Sequence, residues 1–545
     1  MKKAFREFYE DIGSKKAYWI PIILLAVGAY GFSLTCRTVS VDDLRAQFYQ
    51  SPDYYLISGG YWGYALCQWL LGTYHYAPFF TKFASVLLYI LNGYVFGTVL
   101  HQLNGRKGKL LPYLLLTGAM ITFPLISEIW EYHGSALGYF VPMLMIFLSC
   151  LVFETEQDGK KKYLYASLLL AAAECIDMIT AFVYMAVVCM ILFYRYAVNG
   201  REDHPKWKWI LEGLAYVPQL AVAVAVRLIL QVVLQKITGT SFDPTIDVRI
   251  DMSPLSILKA IAYNGFSYGF ESLLYQPILI FDLACLAFLV ISIIRCRKMH
   301  SPVPILISIC ILLCLFSQSI LQGRRLNFRH ALGICIFIGF VFFLVMERIE
   351  ENPRVLIRRT AAVVLLLVCW NQASYLSRML ELNNLRSENE LAVIRQLGYE
   401  LRSKYDKKPV AFVGGGADCE GWPIRHVSLD PGSLGGKLAI STVNSLGRFL
   451  PEDQGIREDL DRIESLRYTQ TNVQSVIQWS LRSPDMIGEL FSYCGYDLDI
   501  VEFDENYQLF SSLWQQAVDA DLGLYEIMDT GDYLIVSMGR LDAPH

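Results

Sequence analysis

Residues 18–36 read YWIPIILLAVGAYGFSLTC, an apolar run long enough to cross a bilayer as a helix, and residues 40–45 then read SVDDLR. Asp42 and Asp43 are adjacent carboxylates just past the apolar run, and Arg45 follows them closely. A carboxylate at this position can deprotonate an acceptor hydroxyl beside a membrane-delivered substrate. The same stretch also fits the S-x-x-D capping box, which predicts the start of a short helix and is compatible with a catalytic role.

The composition indicates the class of protein. Of the 545 residues, 54% are hydrophobic and 18% are charged, and the mean hydropathy is +0.36, values that a soluble chain of this size would not tolerate. We therefore expect a polytopic α-helical membrane protein. The net charge of -4 and the scattered basic residues argue against a nucleic-acid partner. The 13 cysteines form no C-x-x-C pair and lie mostly in apolar runs, so neither a zinc site nor an Fe–S cluster is indicated.

Further apolar runs predict about eleven transmembrane helices when the first run is counted. They lie at residues 77–100, 110–126, 136–153, 163–175, 179–193, 209–234, 277–294, 303–321, 331–346 and 356–375. The run at 54–71, preceded by Ser51 and Pro52, predicts a juxtamembrane helix in the plane of the outer membrane interface. We expect residues 1–376 to form this multi-pass domain.

Basic residues test the topology, because positive charge collects in cytoplasmic loops. They fall in every second loop if the basic amino terminus is cytoplasmic and anchored by the first run, at residues 106–109, 160–162, 195–208, 295–298 and 348–359. An odd number of crossings then leaves the chain after residue 375 outside. The opposite loops carry acidic and polar residues: Asp42, Asp43, Glu128, Glu131, His133, Glu174 and Asp177. The alternative is that these loops look acidic only because they are depleted of Lys and Arg.

One predicted outer loop breaks the charge rule. Residues 322–330 contain three arginines, Arg324, Arg325 and Arg329. The planar donor fork of arginine matches a phosphate, and a lipid phosphate lies at this depth in the membrane. The alternative is that the arginines pair with outer carboxylates or with ordinary lipid headgroups.

Residues 381–545 have ordinary charge density and short apolar runs, which predicts a small extracytoplasmic α/β domain. A capping box at 387–390 predicts that a helix begins there. Strands are predicted at 409–413 and near the end at 533–538. One pair of outer cysteines is a candidate for a disulfide, Cys419 and Cys494.

Two short motifs carry a family resemblance. Residues 57–63 read ISGGYWG, a turn into the juxtamembrane helix, and residues 408–414 read KPVAFVG, a strand. With the cytoplasmic amino terminus and the acids of the first outer loop, they resemble the bacterial glucosyl transferase type II family of multi-pass GT-C enzymes. The resemblance implies a GT-C-like fold in the bacterial cytoplasmic membrane. It also implies transfer of a sugar, typically glucose, from a polyprenyl-phosphate donor to a cell-surface polysaccharide or lipid-linked glycan, with Asp42 or Asp43 as the essential acid.

The chemistry of such a transfer assigns roles to the candidate residues. A lipid phosphate is a stable leaving group, so no general acid is required if Arg324, Arg325 and Arg329 bind it. Asp42 or Asp43 then takes the acceptor proton in a single displacement with inversion. Five further residues are candidates for binding the substrate: Arg45, Glu128, Glu131, His133 and Asp177. The acids among them would bind sugar hydroxyls or a divalent cation.

A transporter or flippase for lipid-linked glycans is the alternative function. It would require ionisable residues or Gly/Pro breaks in the middle of the spans, in matching positions of two halves. Lys82 and Arg227 lie inside apolar runs, but the sequence shows no internal repeat. A structural protein whose outer domain binds cell-wall polymer is a third interpretation. The sequence does not identify the donor sugar or the acceptor, and it does not determine metal dependence or oligomeric state.

Overall fold

The computed structural model describes residues 1–36, 38–39, 60–73, 77–105, 108–131, 136–198, 208–239, 253–254, 257, 280–322, 332–404, 408–414, 484–501 and 507–538. The chain divides into two compact units. The membrane unit comprises Met1–Thr35, Ser51–Trp130 and Ser135–Arg378. The C-terminal unit comprises Cys36–Gln50, Glu131–Gly134 and Met379–His545.

The described part of the membrane unit is built from helices, many of them joined by short connections that make neighbours antiparallel. The last helix, α16, continues past Arg378 into the C-terminal unit. In chain order they are α1 (Lys2–Phe8), α2 (Lys16–Thr35), α3 (Trp62–Leu71), α4 (Pro78–Leu103), α5 (Leu110–Thr122), α6 (Ser127–Glu131), α7 (Ala136–Thr155), α8 (Gly159–Ile176), α9 (Thr180–Phe193), α10 (Lys208–Leu214), α11 (Val217–Thr238), α12 (Ile280–Met299), α13 (Val303–Leu315), α14 (Ser317–Gln322), α15 (Leu332–Glu350) and α16 (Val355–Lys404). Two π-helical segments follow α1 and α9, Tyr9–Gly13 and Tyr194–Val198.

Seven helical stretches in the described residues are long and apolar enough to cross a membrane. They are Lys16–Thr35, Pro78–Leu103, Ala136–Thr155, Thr180–Val198, Lys208–Thr238, Leu332–Glu350 and Val355–Lys404. The predicted class, a polytopic helical membrane protein, is therefore confirmed. The predicted crossing number stays a prediction, because α5 and α13 are short apolar helices and α8 and α12 carry several charged residues near their basic ends.

Two predicted elements differ from the structure. The span predicted at 209–234 is interrupted, because α10 ends at Leu214 and α11 begins at Val217 with a proline in its first turn. The helix predicted to begin at the 387–390 capping box does not begin there. Instead α16 runs without a break from Val355 to Lys404, so the last predicted span and the first helix of the predicted soluble domain are one helix.

The short helix α5 lies at the centre of the membrane unit, and every residue from Pro112 to Thr122 is buried. Gly339 of α15 approaches it so closely that a Cβ there would lie 2.6 Å from the Leu116 carbonyl oxygen. Where α5 ends, the Tyr30 hydroxyl of α2 donates to the Ile121 carbonyl and the Tyr89 hydroxyl of α4 donates to the Met120 carbonyl, both at 2.5 Å. These tyrosines satisfy carbonyls that a helix end leaves without an intrahelical partner.

Charged side chains join the helices at the end of the bundle that contains the amino terminus. Arg195 donates to Glu154 of α7, and its Nη1 donates to Glu212 of α10 at 2.6 Å. Nearby, the Tyr194 hydroxyl donates to Glu347 at the end of α15. These contacts lie beside the basic connections that the sequence predicts to be cytoplasmic.

The described part of the C-terminal unit contains a three-stranded sheet with helices on both faces. Its remaining elements are β1 (Val410–Val413), α17 (Pro484–Tyr493), α18 (Tyr507–Asp519), β2 (Ile527–Asp529) and β3 (Leu534–Ser537). The strand order is β1-β3-β2, with β1 parallel and β2 antiparallel to β3. Strands therefore lie at both positions that the sequence predicts.

Alternation along the strands divides the core of this unit. Val410 and Phe412 face one side, where they pack with residues of α16 and α17. Ala411 and Val413 face the other side, against α18. At the end of the sheet where β1 begins and β2 ends, Lys408 Nζ donates to Asp529 at 2.7 Å. This hydrogen bond holds the pKa of the Asp529 carboxyl below its usual value.

The first prediction concerns topology. We expect Ser403→Cys, at an exposed position near the end of α16, to react with a membrane-impermeant maleimide in intact spheroplasts. We expect Ser14→Cys, at an exposed position beside the basic amino terminus, to react only after permeabilisation. The parent protein measures the background from native cysteines. Protection of Ser403→Cys in intact spheroplasts would show that the odd crossing count is wrong.

Candidate functional site

Only part of the predicted site lies in the described residues. Asp177 is described with its contacts. Glu128 and Glu131 lie in the short helix α6, but their side chains fall outside the description. The other predicted site residues lie outside the described residues, and so does Cys419 of the predicted disulfide: Asp42, Asp43, Arg45, His133, Arg324, Arg325 and Arg329.

The start of the first loop is anchored in the C-terminal unit. Val39 lies three residues before Asp42, and only 4% of its surface is exposed. Its side chain belongs to the core cluster that contains Leu391 and Ile394 of α16. Its backbone N–H donates to Ser387 Oγ at 3.0 Å. Burying a valine side chain contributes about 1.5–3 kcal/mol and the hydrogen bond about 0.5–1.5 kcal/mol, so the chain leading to Asp42 is held against α16.

The residues of the predicted capping box have a different use in the structure. Ser387 is buried within α16, and its hydroxyl accepts the hydrogen bond from Val39 instead of capping a helix. Glu390 is also buried and accepts a hydrogen bond from Arg386 Nε at 3.0 Å, one turn earlier. The S-x-x-E pattern therefore marks a contact with the first loop.

Asp177 lies in the turn between helices α8 and α9. Its Oδ1 accepts a hydrogen bond from the Ile179 N–H at 2.9 Å, and its carbonyl oxygen accepts one from Thr180 Oγ1 at 2.6 Å. A carboxylate that accepts from the N–H two residues later forms an Asx-turn, which here connects α8 to α9. A role for Asp177 in binding sugar hydroxyls stays a prediction.

A second buried carboxylate lies beside this turn. Glu174, in the last turn of α8, is 1% exposed and accepts a hydrogen bond from Thr180 Oγ1 at 2.8 Å. Asp177 and Arg227 of α11 are both close enough to interact with it electrostatically. Arg227 in turn reaches Gly60 of the ISGGYWG motif, where a Cβ would lie 3.1 Å from the guanidinium Nη2. The end of α8 and the middle of α11 therefore both contact that motif.

Close backbone contact holds the motif in place. A Cβ on Gly63, in the first turn of α3, would lie 2.6 Å from the carbonyl carbon and oxygen of Cys175. Gly60 has φ +80°, a conformation that L side chains rarely adopt. The two glycines allow the turn and α3 to lie directly on the end of α8.

A buried lysine lies at the same end of the bundle. Lys82, near the start of α4, is 2% exposed, and its Nζ donates to the Ser33 carbonyl at 2.7 Å. Ser33 is in the last turn of α2, just before the first loop. The positive charge of Lys82 is thus held beside the chain that leads to the predicted catalytic acids.

Sequence reasoning did not assign these residues to the site. It noted Glu174 only as one of several outer acids, and it noted Lys82 and Arg227 only in connection with transport. The available signal was a charged side chain within an apolar run, since such residues face a bundle interior or a cavity. Their convergence depends on helix packing, which the sequence pattern does not show.

Metal binding finds no support in the described residues. That part of the chain contains no group of three or more His, Cys, Asp or Glu side chains placed to hold a metal ion. A divalent cation as a ligand of the predicted outer acids, the alternative to sugar hydroxyls, is not tested.

The fold and these buried charges define a polytopic helical membrane protein with a polar region at one end of its helix bundle. The family model described as Glucosyl transferase GtrII matches residues 31–346, which is more than half of the chain. The chain belongs to this family, so the resemblance is confirmed and glycosyltransferase activity is assigned. No curated protein and no solved structure matches the chain.

The second prediction tests the anchor of the first loop. Ser387→Ala leaves the buried Val39 N–H without its acceptor, which costs about 1–3 kcal/mol. We expect faster hydrogen exchange of the segment containing Val39 and a lower melting temperature. Ser403→Ala is the matched control, because Ser403 is exposed on the same helix and donates only to the Glu400 carbonyl. Equal exchange in the two variants would contradict the anchoring role.

Proposed function

We propose that this glycosyltransferase moves a sugar, glucose by its family, from a polyprenyl-phosphate donor to a cell-surface polysaccharide or lipid-linked glycan. The reaction takes place at the outer face of the bacterial cytoplasmic membrane. The observation that carries the proposal is the anchoring of Val39, because it ties the chain leading to the paired acids Asp42 and Asp43 to a folded unit. A base that must meet a proton within hydrogen-bond reach requires such positioning.

The orientation is supported by two independent features. Val39 follows α2 directly and lies in the core of the C-terminal unit, so the first loop and that unit are on one side of the membrane. The basic connections lie at the other ends of the helices, and positive charge favours the cytoplasm. Both features agree with an outer location of the first loop and the C-terminal unit.

The proposed chemistry is a single displacement at the anomeric carbon. Asp42 or Asp43 accepts the proton of the acceptor hydroxyl as the new glycosidic bond forms. The bond between the anomeric carbon and the phosphate oxygen breaks, and the electron pair leaves with the lipid phosphate. Arg324, Arg325 and Arg329 stabilise the negative charge of that phosphate, so the leaving group needs no proton.

Transport of a lipid-linked glycan is less well supported. Lys82 lies near the start of α4 and is bonded to the end of α2 at Ser33. That places the charge of Lys82 at the end of the bundle, whereas a transport site is expected near the middle of the spans. Arg227 does lie in the middle of α11, but transport would also require matching features in two halves of the chain, and the sequence shows no internal repeat.

The third prediction concerns the two acids of the first loop. Asp42→Asn and Asp43→Asn each preserve size and remove a negative charge. We expect the variant that loses the base to lose about 10²–10⁴ in turnover at saturating donor, with normal insertion and folding. Single-turnover transfer from polyprenyl-phosphate glucose is the measurement. Near-normal turnover by both variants would show that the acids only cap a helix.

The fourth prediction separates charge from geometry at the arginines. Arg325→Lys keeps the charge and loses the bidentate fork, whereas Arg325→Ala loses both. A charge-assisted hydrogen bond is worth about 1.5–3 kcal/mol, so each lost contact should weaken donor use by about one to two decades, with alanine worse than lysine. The same pair of substitutions applies to Arg324 and Arg329. Both donor affinity and single-turnover rate should fall, since the arginines act on the leaving phosphate. If all three alanine variants match the parent, the arginines contact only lipid headgroups.

A further inference from the structure

The helix α2 exposes one continuous row of side chains, and the row begins with a cation. Its residues are spaced three and four apart, which places them on one face of a helix, and we call them the α2 row: Lys16, Ile20, Ile23 and Val27. Lys16 is exposed, and the three apolar side chains are between 50% and 62% exposed. The apolar part of the row is therefore suited to contact with lipid.

Two lysines at the start of the row have no carboxylate partner. Lys15 and Lys16 are both exposed, and neither forms an ion pair or a side-chain hydrogen bond among the described residues. Arg6, in the same amino-terminal segment, is also exposed but is already paired, because its Nε donates to Glu10 at 2.8 Å. Lys15 and Lys16 thus leave uncompensated positive charge at the end of an apolar helix, at the depth where lipid headgroups lie.

The segment before α2 holds these lysines in a fixed place. Phe8 is fully buried and packs edge-on against Tyr94 of α4, with ring centroids 4.9 Å apart. Trp19, in the first turn of α2, stacks on the same tyrosine with ring centroids 5.5 Å apart, and its Nε1 donates to the Gly13 carbonyl at 2.7 Å. The turn between Gly13 and Lys16 is therefore attached to the bundle before and after it. Only the lysine side chains have to be ordered when they bind a ligand.

The length of the row indicates the kind of ligand. From Lys16 to Val27 the helix rises about 16 Å, at about 1.5 Å per residue. One hydrocarbon leaflet is about 15 Å thick, half of the bilayer core. A phospholipid with its phosphate at Lys16 would therefore extend an acyl chain along the whole row, whereas a free phosphate would use the lysines alone. Unpaired positive charge favours an anionic headgroup over a zwitterionic one, whose own ammonium group would be repelled.

We infer that Lys15, Lys16 and the apolar part of the α2 row bind one anionic phospholipid, in the leaflet at the amino-terminal end of the bundle. The ammonium groups donate to the phosphate oxygens, and one acyl chain lies along the row. This inference goes beyond the proposed function and does not rest on it, because it involves neither the donor nor the acids of the first loop. It gives the two lysines a ligand in addition to the topology signal that they carry in the sequence.

The experiment measures which lipid lies on α2. The full-length protein is reconstituted in phosphatidylcholine vesicles that contain a small fraction of phosphatidylglycerol with a photoreactive diazirine in one acyl chain. After illumination, mass spectrometry quantifies the lipid attached to the α2 peptide. The reference in the same sample is the α11 peptide, which exposes apolar residues such as Ile229 and Val233. Phosphatidylcholine with the same photoreactive chain is the matched probe.

The expected result is a preference of α2 for the anionic probe. One lysine near the membrane surface is worth about a fivefold preference, so relative to α11 the two lysines should give about twentyfold more labelling by phosphatidylglycerol than by phosphatidylcholine. Lys16→Gln should lower this preference about fivefold, and adding Lys15→Gln should abolish it. Lys16→Arg keeps the charge and should behave like the parent. Arg6→Gln is the matched control, because it removes the same charge from a cation that Glu10 already compensates, and it should change the preference by less than twofold.

Three results would overturn the inference. Equal labelling of α2 by the two probes in the parent would show that only bulk lipid contacts the row. An effect of Arg6→Gln as large as that of Lys16→Gln would show a general attraction by charge and no site. Loss of α2 labelling on addition of millimolar glycerol 3-phosphate, which has no acyl chain, would show a phosphate site that does not use the row. The substituted positions are all exposed, and unchanged labelling of α11 checks that each variant is folded.

Discussion

The last carbonyl groups of α5 have no partner within the helix, and the need to pair them is the constraint on which the rest of the membrane unit depends. A helix that ends buried among other helices cannot leave its last carbonyls to water, so other side chains must bind them. Tyr30 and Tyr89 supply the two hydroxyls, and they come from α2 and α4. The pairing therefore fixes three helices at one point, and Gly339 lets α15 lie against the same short helix.

The first loop is an integral part of the C-terminal unit. Val39 contributes its side chain to the core that α16 and the sheet share, and Ser387 binds its backbone. Because Val39 lies in the core of this unit, the unit holds the start of the predicted catalytic loop in place.

Charge is distributed with a clear division between the two ends of the bundle. At the amino-terminal end, carboxylates such as Glu154 are paired with arginine and tyrosine, which joins the helices. At the other end, Lys82 binds a backbone carbonyl. In the middle of α11, Arg227 interacts electrostatically with Glu174, with no hydrogen bond between them among the described contacts. Satisfied pairs contribute to structure, whereas Arg227 Nε has no hydrogen-bond partner among the described residues.

The sequence by itself determined the membrane class, the positions of the long apolar helices and the two strands, because hydropathy and β-propensity are local properties. Motifs in the first loop and at residues 57–63 also indicated the family. Tertiary structure decided the rest. The 387–390 pattern predicted a helix start, yet Ser387 lies inside α16 because its hydroxyl is used by Val39, which is distant in sequence. The neighbourhood of Gly60, Glu174 and Arg227 likewise depends on how α3, α8 and α11 pack, and no local pattern encodes contacts between residues so far apart in the chain.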